Sequence, residues 1–478
     1  MQAERRDLLA DAAERANAYL DGVRTRAVAP SPEALARLEG LGGPLPEHPT
    51  PAAETLALLD EAGSPATMAC QGGRYFGFVI GGSVPAATAA NWLATAWDQN
   101  AGLWASSPVS ARIEEIAIGW LAEALHLPAD IGGAFVTGAS MASFTALAAA
   151  RHTLLARVGW DIVDQGLIGA PPLRIVVSDE VHVTMVKALA LLGFGRATLE
   201  RVPVDEQGRM VADRLPLLDD RTIVCVQAGD VNSGCFDPIE AVCEEARAAG
   251  AWVHVDGAFG LWAATSPAHA HLVAGADLAD SWSLDGHKWL NTPYDNGIAL
   301  VRDPRHLSQA MFAPAAYLAS TGAHREPAHH SPELSRRARG VDVWAAMHSL
   351  GRDGIQEIVE RTCRLAGRIA AGVRNGGLEI LNDVVLNQVL VAARDDATTD
   401  RLVARIQQDG TCWCGGTTWR GRRAVRVSVS SWATTDEDAE LTIAAILDAA
   451  RVVGAVGSRP DPAWNLAADA LMTAERAQ

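Results

Sequence analysis

The sequence predicts an α/β fold: a mostly parallel central sheet with helices on both faces, preceded by a helical arm and followed by a small α+β domain. Three observations carry this. Short, continuously apolar segments alternate with helical patterns through the middle of the chain, as expected for strands buried on both sides. Two of those segments run straight into small or polar residues, Thr137-Gly138-Ala139-Ser140 and Asp256-Gly257-Ala258-Phe259-Gly260. Sheets of this kind bind ligands beyond the carboxyl ends of their strands. Past Gly351 the alternation gives way to long helices separated by single strands. The expected division is an arm over 1–65, a large domain over 66–350 and a small domain over 351–478.

Each element has its own signal. Leu8, Leu9, Ala12, Ala16, Tyr19, Leu20 and Val23 recur at helical spacing and predict an amphipathic first helix. Prolines at 30 and 32, then between 44 and 51, interrupt the helical pattern beyond it, so the first 60 or so residues read as an arm that packs on something else. A helix is predicted over 113–125, ended by Leu127-Pro128. A short strand at 134–136 precedes a helix over 143–155. Further strands are predicted at 173–177, 222–226, 251–255 and 298–301, with helices at 183–192 and 238–249, the second capped by Gly250. In the last third, helices over 355–373, 399–408 and 437–453 alternate with strands at 384–392 and 424–429. Cys412 and Cys414 have no second pair at zinc spacing and read as two buried thiols on a strand, so no metal site is expected.

Composition excludes several functions. Lys+Arg number 40 against 57 Asp+Glu, a net charge of −17, which argues against binding nucleic acid or docking on an anionic membrane. No apolar run approaches the ~18 residues of a membrane span. The charged N-terminus lacks the apolar core of a secretion signal, and seven Cys in 478 residues make no disulfide framework. A cytoplasmic enzyme is the expectation.

Neither a P-loop motif nor a dinucleotide fingerprint is present. The residues that could carry chemistry lie at predicted strand ends. The Gly138-Ala139-Ser140 loop opens a helix, where backbone N–H groups can cradle a phosphate. Asp256 follows an apolar strand and could cap a helix or face a cationic ring nitrogen. Lys288 lies in Trp282-Ser283-Leu284-Asp285-Gly286-His287-Lys288-Trp289-Leu290. Apolar neighbours favour the neutral amine that Schiff-base formation needs. A phosphate cradle, a carboxylate and a desolvated lysine are together the protein parts that pyridoxal phosphate requires.

With these parts in this order, the sequence resembles the group II pyridoxal-phosphate-dependent amino acid decarboxylases of fold type I, the family of glutamate, histidine and aromatic amino acid decarboxylases. The resemblance spans about residues 70–450. It rests on Trp104-Ala105-Ser106-Ser107-Pro108, Ser178-Asp179-Glu180-Val181-His182, His254-Val255-Asp256-Gly257-Ala258-Phe259-Gly260 and Asp285-Gly286-His287-Lys288-Trp289-Leu290. Asp237-Pro238-Ile239-Glu240, Ser335-Arg336-Arg337 and Trp419-Arg420-Gly421-Arg422 add to it. It implies that Lys288 carries the cofactor as a Schiff base and that Gly138, Ala139, Ser140 and His287 surround the phosphate. Asp256 would keep the pyridine nitrogen protonated, Ala258 would pack against the ring, and His182 would stack on its face near the substrate carboxylate. It implies a homodimer with active sites at the interface, the arm wrapping the partner.

The implied reaction removes carbon dioxide from an L-amino acid and returns a proton to Cα. The family usually supplies that proton from a tyrosine on a mobile loop before Ser335-Arg336-Arg337. Residues 318–341 contain no tyrosine. Tyr317 stands at the loop's start, and His324, His329 and His330 lie within it, so Tyr317, His329 or His330 would have to serve. Gly229-Asp230-Val231-Asn232 also departs from the threonines common in relatives. Slow protonation would let oxygen intercept the carbanion and give an aldehyde, ammonia and peroxide. Carbon–carbon lyase chemistry on the same fold and a non-catalytic scaffold are further alternatives. For the substrate, Trp104, Tyr75 and Phe76 would suit an aromatic or apolar amino acid, and Arg426 could meet a carboxylate.

Overall fold

The computed structural model describes residues 2–312 and 324–457. Helices α1 (Gln2–Gly22), α2 (Pro32–Ala36) and α3 (Ala52–Gly63) come first. Then α4 (Pro85–Trp97) and α5 (Pro108–Ala124) lead into the main sheet. Proline opens both α4 and α5, where its missing N–H costs nothing, and the Ser107 hydroxyl caps α5 by accepting the Ser110 N–H. The arm is tied down at several points. The Arg26 guanidinium donates to the Ser64 and Thr67 carbonyls at 2.9 and 3.0 Å, and Val28 N–H donates to the Gly410 carbonyl at 2.8 Å.

Seven strands form the main sheet: β1 (Gly132–Val136), β2 (Arg174–Ser178), β3 (Glu200–Val202), β4 (Thr222–Gln227), β5 (Trp252–Asp256), β6 (Ser281–Asp285) and β7 (Gly297–Val301). Their order is β1-β7-β6-β5-β4-β2-β3. Strand β7 runs antiparallel to both its neighbours, and β6, β5, β4, β2 and β3 pair in parallel. Helices α6 (Ala139–Arg157), α7 (Ile162–Gln165), α8 (Val183–Leu191), α9 (Ile239–Ala249) and α10 (Pro304–Met311) connect and cover it. Separate apolar clusters line its two faces. Val224, Val253 and Leu300 belong to one, and Ile223, Trp252 and Val301 to the other.

Strand β6 has no apolar signature, because Ser281, Ser283 and Asp285 alternate with Trp282 and Leu284. All five residues are nevertheless buried. The hydroxyls are satisfied inside the sheet: Ser281 Oγ accepts from Trp252 Nε1 at 2.9 Å and lies 2.9 Å from His254 Nδ1, and Ser283 Oγ lies 3.0 Å from Ser143 Oγ. Buried polar groups are tolerated only when paired in this way.

Helix α11 (Gly340–Asn375) carries the chain out of the main sheet and starts fifteen residues before the predicted helix. It bends at Gly351, whose φ of +61° glycine adopts without strain. An antiparallel sheet comes next, ordered β10-β11-β9-β8, built from β8 (Glu379–Ile380), β9 (Gln388–Ala392), β10 (Gly415–Trp419) and β11 (Arg422–Ser428). Helices α12 (Asp396–Asp409) and α13 (Asp436–Val452) complete it. The predicted strand at 384–392 is shorter than expected because Val385 N–H turns back onto the Asp383 carbonyl. Cys412 and Cys414 are buried just before β10, and Trp413 between them bridges to Tyr75. Among the described residues, no helix is long and apolar enough to cross a membrane.

Candidate active site

Sequence-distant residues meet at the carboxyl edge of the main sheet because their strands end there. Asp256 is the last residue of β5, Asp285 the last of β6, and Gln227 the last of β4. Gly138 lies just past β1 and caps α6. Strand β7 enters the same edge at Gly297, and a Cβ there would collide with the Gly138 backbone. Glycine is thus required at 297 for the α6 N-terminus to sit beside β6.

Lys288 comes after β6 in a turn whose neighbours Trp289 and Leu290 are buried. Its ammonium is not in a wholly apolar setting: Nζ lies 3.1 Å from Asp285 Oδ2 and 6.0 Å from the centre of the Phe259 ring. The chain contains only two lysines. The other, Lys187, is exposed on α8. Gly81 presses on the Lys288 carbonyl, leaving no room there for a side chain.

Asp256 is buried, and one carboxyl oxygen accepts the Ala258 N–H at 3.2 Å. Burial pushes its carboxyl up, and electrostatic interaction with His182 and Lys288 opposes this. A cationic ring nitrogen against it would add to that opposition. His182 caps α8. Its backbone N–H donates to Gln227 Oε1 at 3.0 Å and its Nδ1 lies 2.6 Å from Thr184 Oγ1. Burial holds the imidazole below its ordinary range and Asp256 opposes this, so its neutral form is favoured. His287 Nδ1 accepts the Asn296 N–H at 2.9 Å, which leaves Nε2 as the donor, and its ring stacks on Tyr294 with centroids 4.1 Å apart. Burial lowers this imidazole too, against the pull of Asp285.

This donor set fits pyridoxal phosphate. The Ser140 hydroxyl is one residue inside α6 and makes no hydrogen bond among the described residues. With His287 Nε2 and the positive end of α6 it suits a phosphate. The Ala139 N–H is already given to Asp285 Oδ1 at 2.6 Å. Ala258 is partly exposed at the same edge, and its carbonyl accepts the Asp285 N–H.

Other expected residues fall elsewhere. Tyr317 lies outside the described residues. His329 and His330 do not meet Lys288 within this chain. They form a turn over Pro327–His330, His329 edge-on to Phe312 at 4.8 Å and His330 Nδ1 3.1 Å from the Glu326 carbonyl. Burial pushes His330 down to about 4. The reason is a clamp: Arg325 bonds Glu114 at 2.7 Å and Glu326 accepts the Trp104 N–H at 2.7 Å, while His324 stacks on the Trp104 ring at 3.7 Å. Trp104 is therefore tied to the segment after residue 323.

Tyr75 and Phe76 are both buried. Tyr75 stacks on Trp413 at 5.1 Å and Phe76 belongs to the core of the small sheet. The aromatic turned outward is Phe78, 61% exposed, because Phe78 and Val79 both take left-handed φ values of +54° and +60°. Arg426 on β11 is desolvated, which pushes its guanidinium down against the pull of Asp230. It makes no ion pair or hydrogen bond through its side chain among the described residues, and its charge is felt at His182. Sequence reasoning missed Asp285, Gln227 and Tyr294. Only Asp285 had a signal, its place in the lysine motif.

Comparison with known proteins identifies relatives of the chain as a whole. Residues 69–393 match the family model described as the pyridoxal-dependent decarboxylase conserved domain. Tryptophan decarboxylase 1 of Oryza sativa subsp. japonica is 28% identical over 75% of this chain and 76% of its own length. The 4-hydroxyphenylacetaldehyde synthase of Rhodiola rosea is 26% identical, covering 66% of this chain and 68% of its own. The crystal structure of Oryza sativa TDC with PLP and tryptamine superposes with a TM-score of 0.86 at 25% identity, over 94% of this chain and 98% of that one.

Proposed function

The chain belongs to the pyridoxal-dependent decarboxylase family, and we propose that it removes the carboxylate of an L-amino acid with an aromatic or apolar side chain, giving the amine. It is a pyridoxal-phosphate enzyme of α/β fold type I. The observation that carries the proposal is the meeting of Asp256, His182 and Lys288 at one strand edge, each within the electrostatic reach of the others.

The division of labour reflects the chemistry of each group. Lys288 is the amine that bonds the cofactor. Ser140, His287 and the α6 N-terminus hold its phosphate. Bound pyridoxal phosphate supplies a sink for the electron pair left when carbon dioxide departs. Asp256 holds a proton on the ring nitrogen, and its buried carboxylate is stabilised by that charge. His182, kept neutral, covers the ring face without adding a second cation beside it. Arg426, with no side-chain partner among the described residues, binds the substrate carboxylate. The exposed Phe78 supplies apolar surface for the substrate side chain.

A homodimer accords with the exposed aromatic and aliphatic residues Trp92, Leu93 and Trp97 on α4, a cluster that soluble monomers rarely leave open. Dimerisation would bring one subunit's clamp near its partner's site. An oxidative outcome is the alternative, because His329 and His330 do not meet Lys288 in their own chain and would have to act from the partner subunit. The test is a panel of L-amino acids scored for carbon dioxide, ammonia and peroxide in air. Carbon dioxide and amine in equal amounts, without peroxide, support simple decarboxylation. Equimolar aldehyde, ammonia and peroxide establish the oxidative reaction. No carbon dioxide from any amino acid refutes both.

A further inference from the structure

Asp285 is held more rigidly than any role named above requires. Its side chain is buried, the residue only 3% exposed. One carboxyl oxygen accepts the Ala139 N–H at 2.6 Å and stands 3.5 Å from His287 Nε2. The other lies 3.1 Å from Lys288 Nζ. Its backbone N–H donates to the Ala258 carbonyl at 2.9 Å, and β7 pairs it with Gly297. A carboxylate fixed at both ends cannot follow a moving partner. It can only offer one fixed place for an ammonium.

Lys288 needs such a place. When an incoming amine takes over the cofactor's carbonyl carbon, a new carbon–nitrogen bond forms and the bond to Lys288 Nζ breaks. The incoming group arrives as an ammonium and Lys288 leaves as one, so atoms, protons and charge balance without a further reactant. The displaced lysine must stay close enough to return, yet must not compete for the carbon while chemistry proceeds. Two cation-stabilising surfaces flank it at known distances, the Asp285 carboxylate at 3.1 Å and the Phe259 ring at 6.0 Å. The carboxylate is much the stronger of the two.

We propose that Asp285 is a positioning residue that receives Lys288 as an ammonium once an amine has displaced it, and so draws the exchange toward the amine-loaded enzyme. This rests on Lys288 being the cofactor lysine. It gives Asp285 a role separate from phosphate binding, although both involve the first turn of α6.

The test uses cofactor-loaded enzyme and 2-phenylethylamine, a probe with no carboxylate to lose. Borohydride freezes whichever carbon–nitrogen bond is present, and peptide mass spectrometry reads the fraction of Lys288 carrying the reduced pyridoxyl group. With only two lysines in the chain, that reading is unambiguous. In Asp285→Asn, which keeps an acceptor for Ala139 but loses the charge, the amine concentration that halves the Lys288-linked fraction should rise about tenfold. In Asp285→Glu the rise should be smaller, because the charge is restored. A midpoint within twofold of wild type in Asp285→Asn, or one that falls, overturns the proposal. Loss of folding in both variants also overturns it, by assigning Asp285 to structure alone. Absence of pyridoxyl-Lys288 in wild type without amine would instead refute Lys288 as the cofactor lysine.

Discussion

The clamp after residue 323 makes a quantitative prediction. Glu114 on α5 is buried and accepts from Arg325 and from Arg336, each at 2.7 Å. Arg336 is wholly buried and also donates to the Phe135 carbonyl at 2.8 Å. Glu114→Gln keeps the shape and removes the charge, leaving two guanidiniums facing one neutral amide. Breaking a buried ion pair from one side costs about 3–5 kcal/mol. At about 2 °C per kcal/mol, the low end for larger domains, the melting temperature of the cofactor-loaded enzyme should fall by about 6–10 °C at pH 7. Burial alone would push the Glu114 carboxyl up, but Arg336 and Arg325 together hold it below its ordinary range. A carboxyl with a depressed folded-state value contributes stability above its unfolded value, and that contribution is lost as pH falls through the folded one. The gap between wild type and variant should therefore be full above about pH 5 and close at more acid pH. Calorimetry at several pH values measures both. A gap under about 2 °C at pH 7, or one that persists unchanged to about pH 3, would show that the Glu114 charge does not hold the clamp.

Three further outcomes are expected. Asp256→Asn should keep bound cofactor but lower kcat by about 10²–10³, the usual loss of one preorganised electrostatic partner, and wild-type turnover would show that the carboxylate does not face the ring nitrogen. Gly297→Ala should weaken cofactor binding at least about tenfold by displacing the Gly138 backbone, read as the cofactor concentration that restores half-maximal absorbance; unchanged binding would remove the α6 N-terminus from the phosphate site. Arg426→Met should raise KM by about 10–100-fold with unchanged cofactor absorbance, the loss expected of a charge-assisted contact with a carboxylate, and an unchanged KM would place the substrate carboxylate elsewhere.

How much of this molecule is legible in its sequence depends on how local each signal is. Strands β4 and β5 announce themselves because both faces are buried in apolar layers, and Asp256 is then located by counting to the strand's end. Strand β6 hides because its serines satisfy Trp252, His254 and Ser143, partners supplied only by the folded sheet. Lys288 stands out by its surroundings, and its pairing with Asp285 three residues earlier is local, whereas the contact of that carboxylate with the Ala139 N–H spans 146 residues. Tyr75 and Phe76 carry the right chemistry for a pocket and are buried, whereas Phe78 two residues later faces outward. Two consecutive left-handed residues cause that inversion, and neither is glycine, so no sequence rule anticipates it. The histidines at 329 and 330 are drawn aside by Arg325, whose partner Glu114 is 211 residues away. Long-range ion pairs of this kind leave no trace in local pattern.

The whole functional reading turns on Lys288 carrying pyridoxal phosphate at the edge marked by Asp256 and His182. Borohydride reduction of the purified enzyme followed by peptide mass mapping decides this, because Lys187 is the one alternative side-chain amine. A reduced pyridoxyl group on the peptide containing Lys288, with Lys187 unmodified, is the expected result. Cofactor recovered free after reduction, or attached to Lys187, would contradict it.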